Sequence, residues 1–118
     1  MDPMLRGELE TSLRRRREEL LREAAAGAAA IAALDDEREA EPVEQAQEAR
    51  LRDALVRLGE RERIELLQVN AALDRLVDGT YGRCVLCGRA VPPGRLRALP
   101  ATPHCVACAG VAERVASR

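Results

Sequence analysis

Along the first third of the chain, apolar positions recur at alternating steps of four and three. Leu13, Leu20, Ala24, Gly27, Ile31 and Leu34 fall on this stripe, and Arg17 is its one polar member. That is the period of a helix whose one face meets another helix. Asp2-Pro3 supplies a start, with Asp as the cap and Pro in the first turn. The pattern therefore predicts a helix running to Leu34, and the small residues Ala24 and Gly27 leave room for a partner helix. The charged run that opens at Asp35-Asp36-Glu37 ends the stripe. Pro42 then disfavours helix at Glu41 and fits the first turn of a new one.

A second helix is expected from about Pro42 to Val77. Leu51, Leu55 and Leu58 form one stripe on it; Leu66, Val69, Leu73 and Leu76 form another. The step from Leu58 to Leu66 crosses a charged patch, so the register stutters there. Two long helices joined by a short loop fold back on each other as an antiparallel hairpin. At ~1.5 Å per residue each arm would be roughly 45–50 Å long. Asp78-Gly79 closes the second arm, and Gly82, Gly88, Pro92-Pro93-Gly94, Pro100 and Pro103 punctuate a small loop-rich remainder. A last helix, from about Cys105 to Ala116, carries Val106, Val111 and Val115, which are expected to pack on the base of the hairpin. The expected fold is mainly α. Residues 1–78 form an antiparallel coiled-coil hairpin with an acidic tip near 35–46, and residues 79–118 form a small module with a terminal helix.

Composition sharpens this picture. Of 118 residues 47% are hydrophobic, yet Tyr81 is the sole aromatic. Without aromatic area a bulky globular core is not expected, so stability must come from a helix seam and a staple. All 19 basic residues are arginine, which we read as genome composition bias rather than function, and the net charge of −1 calls for neither nucleic acid nor an anionic membrane. Nothing approaches the ~20 consecutive apolar residues that span a bilayer. The start Met1-Asp2-Pro3-Met4 lacks a basic segment followed by an apolar one. A cytoplasmic protein is expected, where cysteines are kept reduced.

The staple is legible in the four cysteines. Cys84-x2-Cys87 and Cys105-x2-Cys108 stand 17 residues apart. Two such pairs at that separation supply four thiolates to a tetrahedral zinc ion. Gly88 follows the first pair, and the second pair opens a helix whose N-terminus favours thiolate. A disulfide framework and redox-active pairs compete with this reading, but the spacing favours one zinc per chain. His104 stands beside Cys105; four cysteines already fill a closed site, so it is not expected to be a ligand. Closure leaves no position for water, and no nucleophile–base set or phosphate-binding loop is visible, so no enzymatic activity is expected. The run Arg14-Arg15-Arg16-Arg17 is followed by Glu18 and Glu19, which suits a solvated, paired helix face better than a nucleic-acid contact.

The stretch from Ala72 to Gly88, Ala-Leu-Asp-Arg-Leu-Val-Asp-Gly-Thr-Tyr-Gly-Arg-Cys-Val-Leu-Cys-Gly, resembles the DksA/TraR family of bacterial zinc-finger proteins. So does Pro92–Pro100 leading into Cys105-Val106-Ala107-Cys108. With the preceding hairpin, the resemblance covers nearly the whole chain. It implies a regulator of transcription that binds RNA polymerase and inserts its hairpin into the secondary channel. The family's tip motif, Asp-x-x-Asp-x-Ala, is matched by Glu41, Glu44 and Ala46, each acid gaining a methylene. The positions matched to the basic residues of ppGpp-responsive members are Gln68, Leu99 and Ala109. None is basic, so the resemblance implies action without ppGpp. A monomer is expected, with no sequence-specific DNA contact. Two other readings stay open: a zinc-stabilised helical adaptor or nucleic-acid-binding module using Arg83, Arg89, Arg95 and Arg97, and a thiol redox sensor.

Overall fold

The computed structural model describes residues 1–26 and 43–116, and for residues 43–45 and 113–116 the backbone alone. Five helices follow in order: α1 (Pro3–Ala26), α2 (Val43–Arg57), α3 (Glu60–Asp78), α4 (Pro93–Ala98) and α5 (Val106–Ala116). Helix α1 starts where Asp2-Pro3 predicts. The Asp2 carboxylate accepts from the Met4 N–H at 3.2 Å, and its carbonyl accepts from the Arg6 N–H at 2.9 Å.

The expected hairpin is present, formed by α1 and α3. The two run in opposite directions. Arg16 of α1 pairs with Glu65 through two hydrogen bonds of 2.6 Å, and Arg6 donates to the Leu76 carbonyl at 2.6 Å. The seam buries Leu13, Leu20 and Ala24 as the stripe foretells, and it also buries Leu5, Leu9 and Leu21. From α3 it takes Leu66, Val69, Ala72 and Leu76. Gly27, Ile31 and Leu34 lie outside the described residues.

The second arm differs from expectation. Helix does not continue from about Pro42 to Val77; it stops at Arg57 and resumes at Glu60. Gly59 sits at the break with φ −64° and ψ 168°. Arg63 reaches back across it, donating to the Leu55 carbonyl at 2.6 Å and the Leu58 carbonyl at 3.1 Å. These are carbonyls that the end of α2 leaves without helical partners.

The chain reverses at Gly59. Arg50 of α2 pairs with Glu18 of α1 at 2.8 Å, while Ala54 and Leu58 share a buried cluster with Leu20, Leu21 and Ala24. Helix α2 thus rises in the same direction as α1. Gln47, Glu48 and Leu51 share a cleft with Arg17 of α1 and with Asn70 and Asp74 of α3. The beginning of α2 therefore lies beside the middle of the α1/α3 pair.

The other end of the pair is the zinc-module end. A second buried cluster runs from Leu5, Leu9 and Leu13 through Val69, Ala72 and Leu76 into Tyr81, Cys84, Val91 and Leu96. Gly79 ends α3 in the left-handed conformation, φ 83°, which only glycine adopts at little cost. The terminal helix forms where expected, but Val106 and Val111 do not pack on the base as expected, and the side chain of Val115 lies outside the described residues. Val106 is 67% exposed and Val111 48%. Both fall on the outward side because Cys105 and Cys108 fix the face that α5 turns inward.

Candidate metal centre

The four cysteines are delivered by two backbone turns that the local sequence builds. After Gly79, the Asp78 carboxylate accepts from the Thr80 N–H at 3.0 Å and the Thr80 hydroxyl at 2.5 Å. The buried Tyr81 donates its hydroxyl to the Pro100 carbonyl at 2.9 Å. That bond ties the approach to the first cysteine pair to the segment preceding the second. Arg83 and Ala90 then form an isolated antiparallel bridge, with the Val91 N–H on the Gly82 carbonyl and the Cys84 N–H on the Arg89 carbonyl. Between them the chain turns tightly through Cys84–Gly88, closed by the Gly88 N–H on the Cys84 carbonyl at 2.9 Å. Gly88 takes φ 77°, a positive value that glycine adopts at little cost.

The second pair is held from the opposite side. Short helix α4, begun by Pro93 at its first position, buries Leu96 in the base. Arg95 donates to the His104 carbonyl at 3.0 Å and lies 3.4 Å from the Thr102 hydroxyl, bracing residues 102–104. The Pro103 carbonyl in turn accepts from the Val85 N–H at 2.9 Å, so the two cysteine loops are joined. Cys105 immediately precedes α5 and Cys108 lies in its first turn. Neither α4 nor the bracing role of Arg95 is legible from the sequence. The Pro-Pro-Gly run reads as a loop, and nothing in the pattern says which carbonyl an arginine will reach.

The sulfur atoms of Cys84, Cys87, Cys105 and Cys108 all lie within 4.8 Å of one another. Cys87 Sγ and Cys105 Sγ are 3.8 Å apart. Thiolates bound at ~2.3 Å around a tetrahedral zinc stand ~3.8 Å from each other, whereas a disulfide needs ~2.05 Å. All four cysteines are free. Among the described residues this is the one grouping of metal-ligating side chains, and His104 is not part of it.

Protonation points the same way. The Cys84 thiol is drawn down to about 5, chiefly by the Cys105 backbone N–H and then by those of Cys87 and Leu86, against the opposing effect of burial. Cys105 is lowered as well, first by the Cys108 backbone N–H. Cys108 is pushed up to about 12, because its thiol proton bridges first to Cys105 and then to Cys84. Backbone N–H groups thus prepare the site for negative charge. Full deprotonation of four adjacent sulfurs then needs a cation, and a soft dication suits the donor set.

Residues 79–114 match the family model described as the prokaryotic dksA/traR C4-type zinc finger. The fold agrees beyond that segment. It matches the solution structure of the DnaK suppressor protein from Agrobacterium tumefaciens C58 with a TM-score of 0.65 and 34% identity, over 89% of this chain and 91% of that one. The chain belongs to the DksA/TraR family. Transcription factor DksA2 from Pseudomonas aeruginosa is also similar, with a TM-score of 0.66 and 27% identity over 100% of this chain and 90% of that structure. An uncharacterized protein of Aquifex aeolicus is 43% identical over 49 residues; the match spans 42% of this chain and 34% of that relative. As in the DksA/TraR C4 finger, the metal here is one zinc ion.

Other residues singled out by the sequence fall as follows. Glu41 lies outside the described residues, as does the side chain of Glu44; Ala46 is exposed on the second turn of α2. Gln68, Leu99 and Ala109 are brought together. All three line a cleft of about 800 Å³ between the hairpin and the zinc module, with Arg16, Arg95 and Arg97. Two of those arginines are already engaged, Arg16 by Glu65 and Glu19 and Arg95 by the His104 carbonyl. Of the basic run, Arg14 pairs with Glu10 and Arg16 with Glu19 and Glu65. Two of the four arginines are thus paired, Arg14 with an acid one turn before it rather than with Glu18 after it.

Proposed function

We propose that this chain is a transcription factor that binds RNA polymerase and acts through the polymerase secondary channel without ppGpp. The observation that carries the reading is the four-sulfur centre locked to the base of an antiparallel helix pair, in a chain similar over its full length to a transcription factor. Zinc, once bound, supplies no reactive position, since four thiolates complete a tetrahedral shell. Its contribution is rigidity, as the ion fixes the loops that carry Cys84, Val91 and Leu96 into the core shared with α1 and α3. Among the described residues no helix is long and apolar enough to cross a membrane, and the reading places the protein in the cytoplasm with polymerase. Residues 79–118 act as the holding module and residues 1–78 as the reaching one. Glu41, Glu44 and Ala46 are proposed to contact the enzyme near its active centre.

The cleft lined by Gln68, Leu99 and Ala109 offers little to a polyphosphate, because two of its three arginines are committed within the protein. Arginine pairing on α1 likewise favours a protein partner over nucleic acid. The test is reconstituted transcription with cognate core polymerase and zinc-loaded protein. The expected result is direct binding and a change in promoter-complex lifetime, unaltered by ppGpp. The Glu41→Ala/Glu44→Ala protein should bind and yet leave transcription unchanged. Absence of binding to core polymerase would overturn the reading.

A further inference from the structure

The break between α2 and α3 is small in conformational terms. Gly59 has φ −64°, already the helical value, and only its ψ of 168° departs from helix. Helical bonding is intact on both sides, with the Leu58 N–H on the Ala54 carbonyl and the Arg63 N–H on the Gly59 carbonyl, each at 2.9 Å. No side chain caps the start of α3. Its first N–H groups, on Glu60, Arg61 and Glu62, would find carbonyl partners in α2 if the helix ran through Gly59. The apolar stripes of α2 and α3 also read as one helix with a stutter.

Helix α2 is lightly held where it lies. It buries Ala54, with Leu58 just beyond its end, whereas α3 buries Leu66, Val69, Ala72 and Leu76. Leu51 and Leu55 pack half-buried against the same cluster, and among the described residues the other attachments are the exposed Arg50–Glu18 ion pair and the two Arg63 hydrogen bonds across the break. We propose that α2 is a strap hinged at Leu58–Gly59, alternating between lying along α1 and extending from α3 as one continuous helix. Closed, the strap keeps its leading end beside the middle of the helix pair. Open, it carries that end out beyond the hinge and lengthens the arm. Resting on the polymerase reading, closure withholds Ala46 and its neighbours from the enzyme, and opening presents them.

Gln47 and Asp74 report the two states. They line one cleft when the strap is closed, and a continuous helix would set them ~40 Å apart. Full-length zinc-loaded protein carries spin labels at these two positions, attached to azide-bearing residues so that the cysteines are untouched, and pulsed dipolar spectroscopy reads the distance. The parent should show mainly the short distance. Gly59→Pro should hold it short, because proline matches φ −64° and the Gly59 N–H donates no backbone hydrogen bond among the described residues. Gly59→Ala with Arg50→Ala should move population to the long distance. Alanine favours the continuous helix by roughly fivefold, and loss of the exposed pair adds roughly twofold.

Three results would overturn the hinge. One is an undiminished short distance in the double variant, and another is a parent showing the long distance alone. Loss of helix content in the double variant counts equally, since a released strap must remain helical. Core polymerase should lengthen the distance in the parent. Binding without lengthening would overturn the withholding role, whereas failure to bind counts against the polymerase reading and leaves the free-protein distances to decide the hinge.

Discussion

Helices α2 and α3 are neighbours in sequence, comparable in length and similarly rich in charge, but their attachments differ in kind. Helix α3 is gripped along its whole inner face by α1, closed by Gly79, and followed within six residues by Cys84, which belongs to the same buried cluster and to the metal centre. Among the described residues, helix α2 has one face against α1 and α3, Ala54 as its single buried residue with Leu51 and Leu55 half-buried beside it, and no link to the metal. The contrast shows that an apolar stripe decides which side of a helix turns inward. How firmly that side is held depends on what the stripe leads into.

Removing the metal should break the base and spare the strap. Cys84→Ser should lower bound zinc to well under one ion per chain and release residues 79–116, read by metal analysis and hydrogen exchange. Structural zinc in small modules contributes of order 10 kcal/mol, so the effect should be the largest of all. Because binding requires thiolates, zinc release should also rise as pH falls, followed by a chromogenic chelator.

Core truncations should then separate the two helices by degree. Leu96→Ala, at 1% exposure in the core of the base, should cost about 3–4 kcal/mol in chemical unfolding. Leu58→Ala, at 7% exposure on the edge of the second cluster, should cost about 2 kcal/mol and leave zinc content unchanged. Equal losses would mean that α2 is as integral as α3.

The ion pairs provide the finest comparison. Glu65 is held below its ordinary 4.5 chiefly by hydrogen bonding to Arg16. Its stabilising effect is present above the unfolded value and is lost as pH falls through the lower folded one. Both side chains are 38% exposed, so screening limits Arg16→Ala to about 0.5–1 kcal/mol near neutral pH. The difference from the parent should shrink in acid below about 4.5. The Glu18–Arg50 pair on the strap side is more exposed, and Arg50→Ala should cost no more than ~0.5 kcal/mol.

The metal site was the most legible part of the sequence, because two Cys-x2-Cys pairs at zinc spacing admit few geometries. The helix seam was legible where the stripe was regular, at Leu13, Leu20 and Ala24. Leu5 and Leu9 escaped because they step by four towards the module rather than by four and three. The break at Gly59 escaped for a different reason. A lone glycine in Gly-Glu-Arg-Glu-Arg weakens a helix without by itself ending it, and what settles the matter is the set of distant partners, Glu18 with Arg50 and Leu20 with Leu58. The outward placement of Val106 and Val111 was hidden likewise, since the metal dictates the face of α5 before hydrophobicity can.

Tyr81 carries a practical consequence of its own. It is the sole aromatic side chain in 118 residues, buried in the base with its hydroxyl on the Pro100 carbonyl. The near-ultraviolet absorption and emission of the protein therefore arise almost wholly from one ring, three residues from the first sulfur ligand. Tyrosine fluorescence observes the base and is blind to the strap, so an optical titration with a chelator follows the metal-held region in isolation, with no label added.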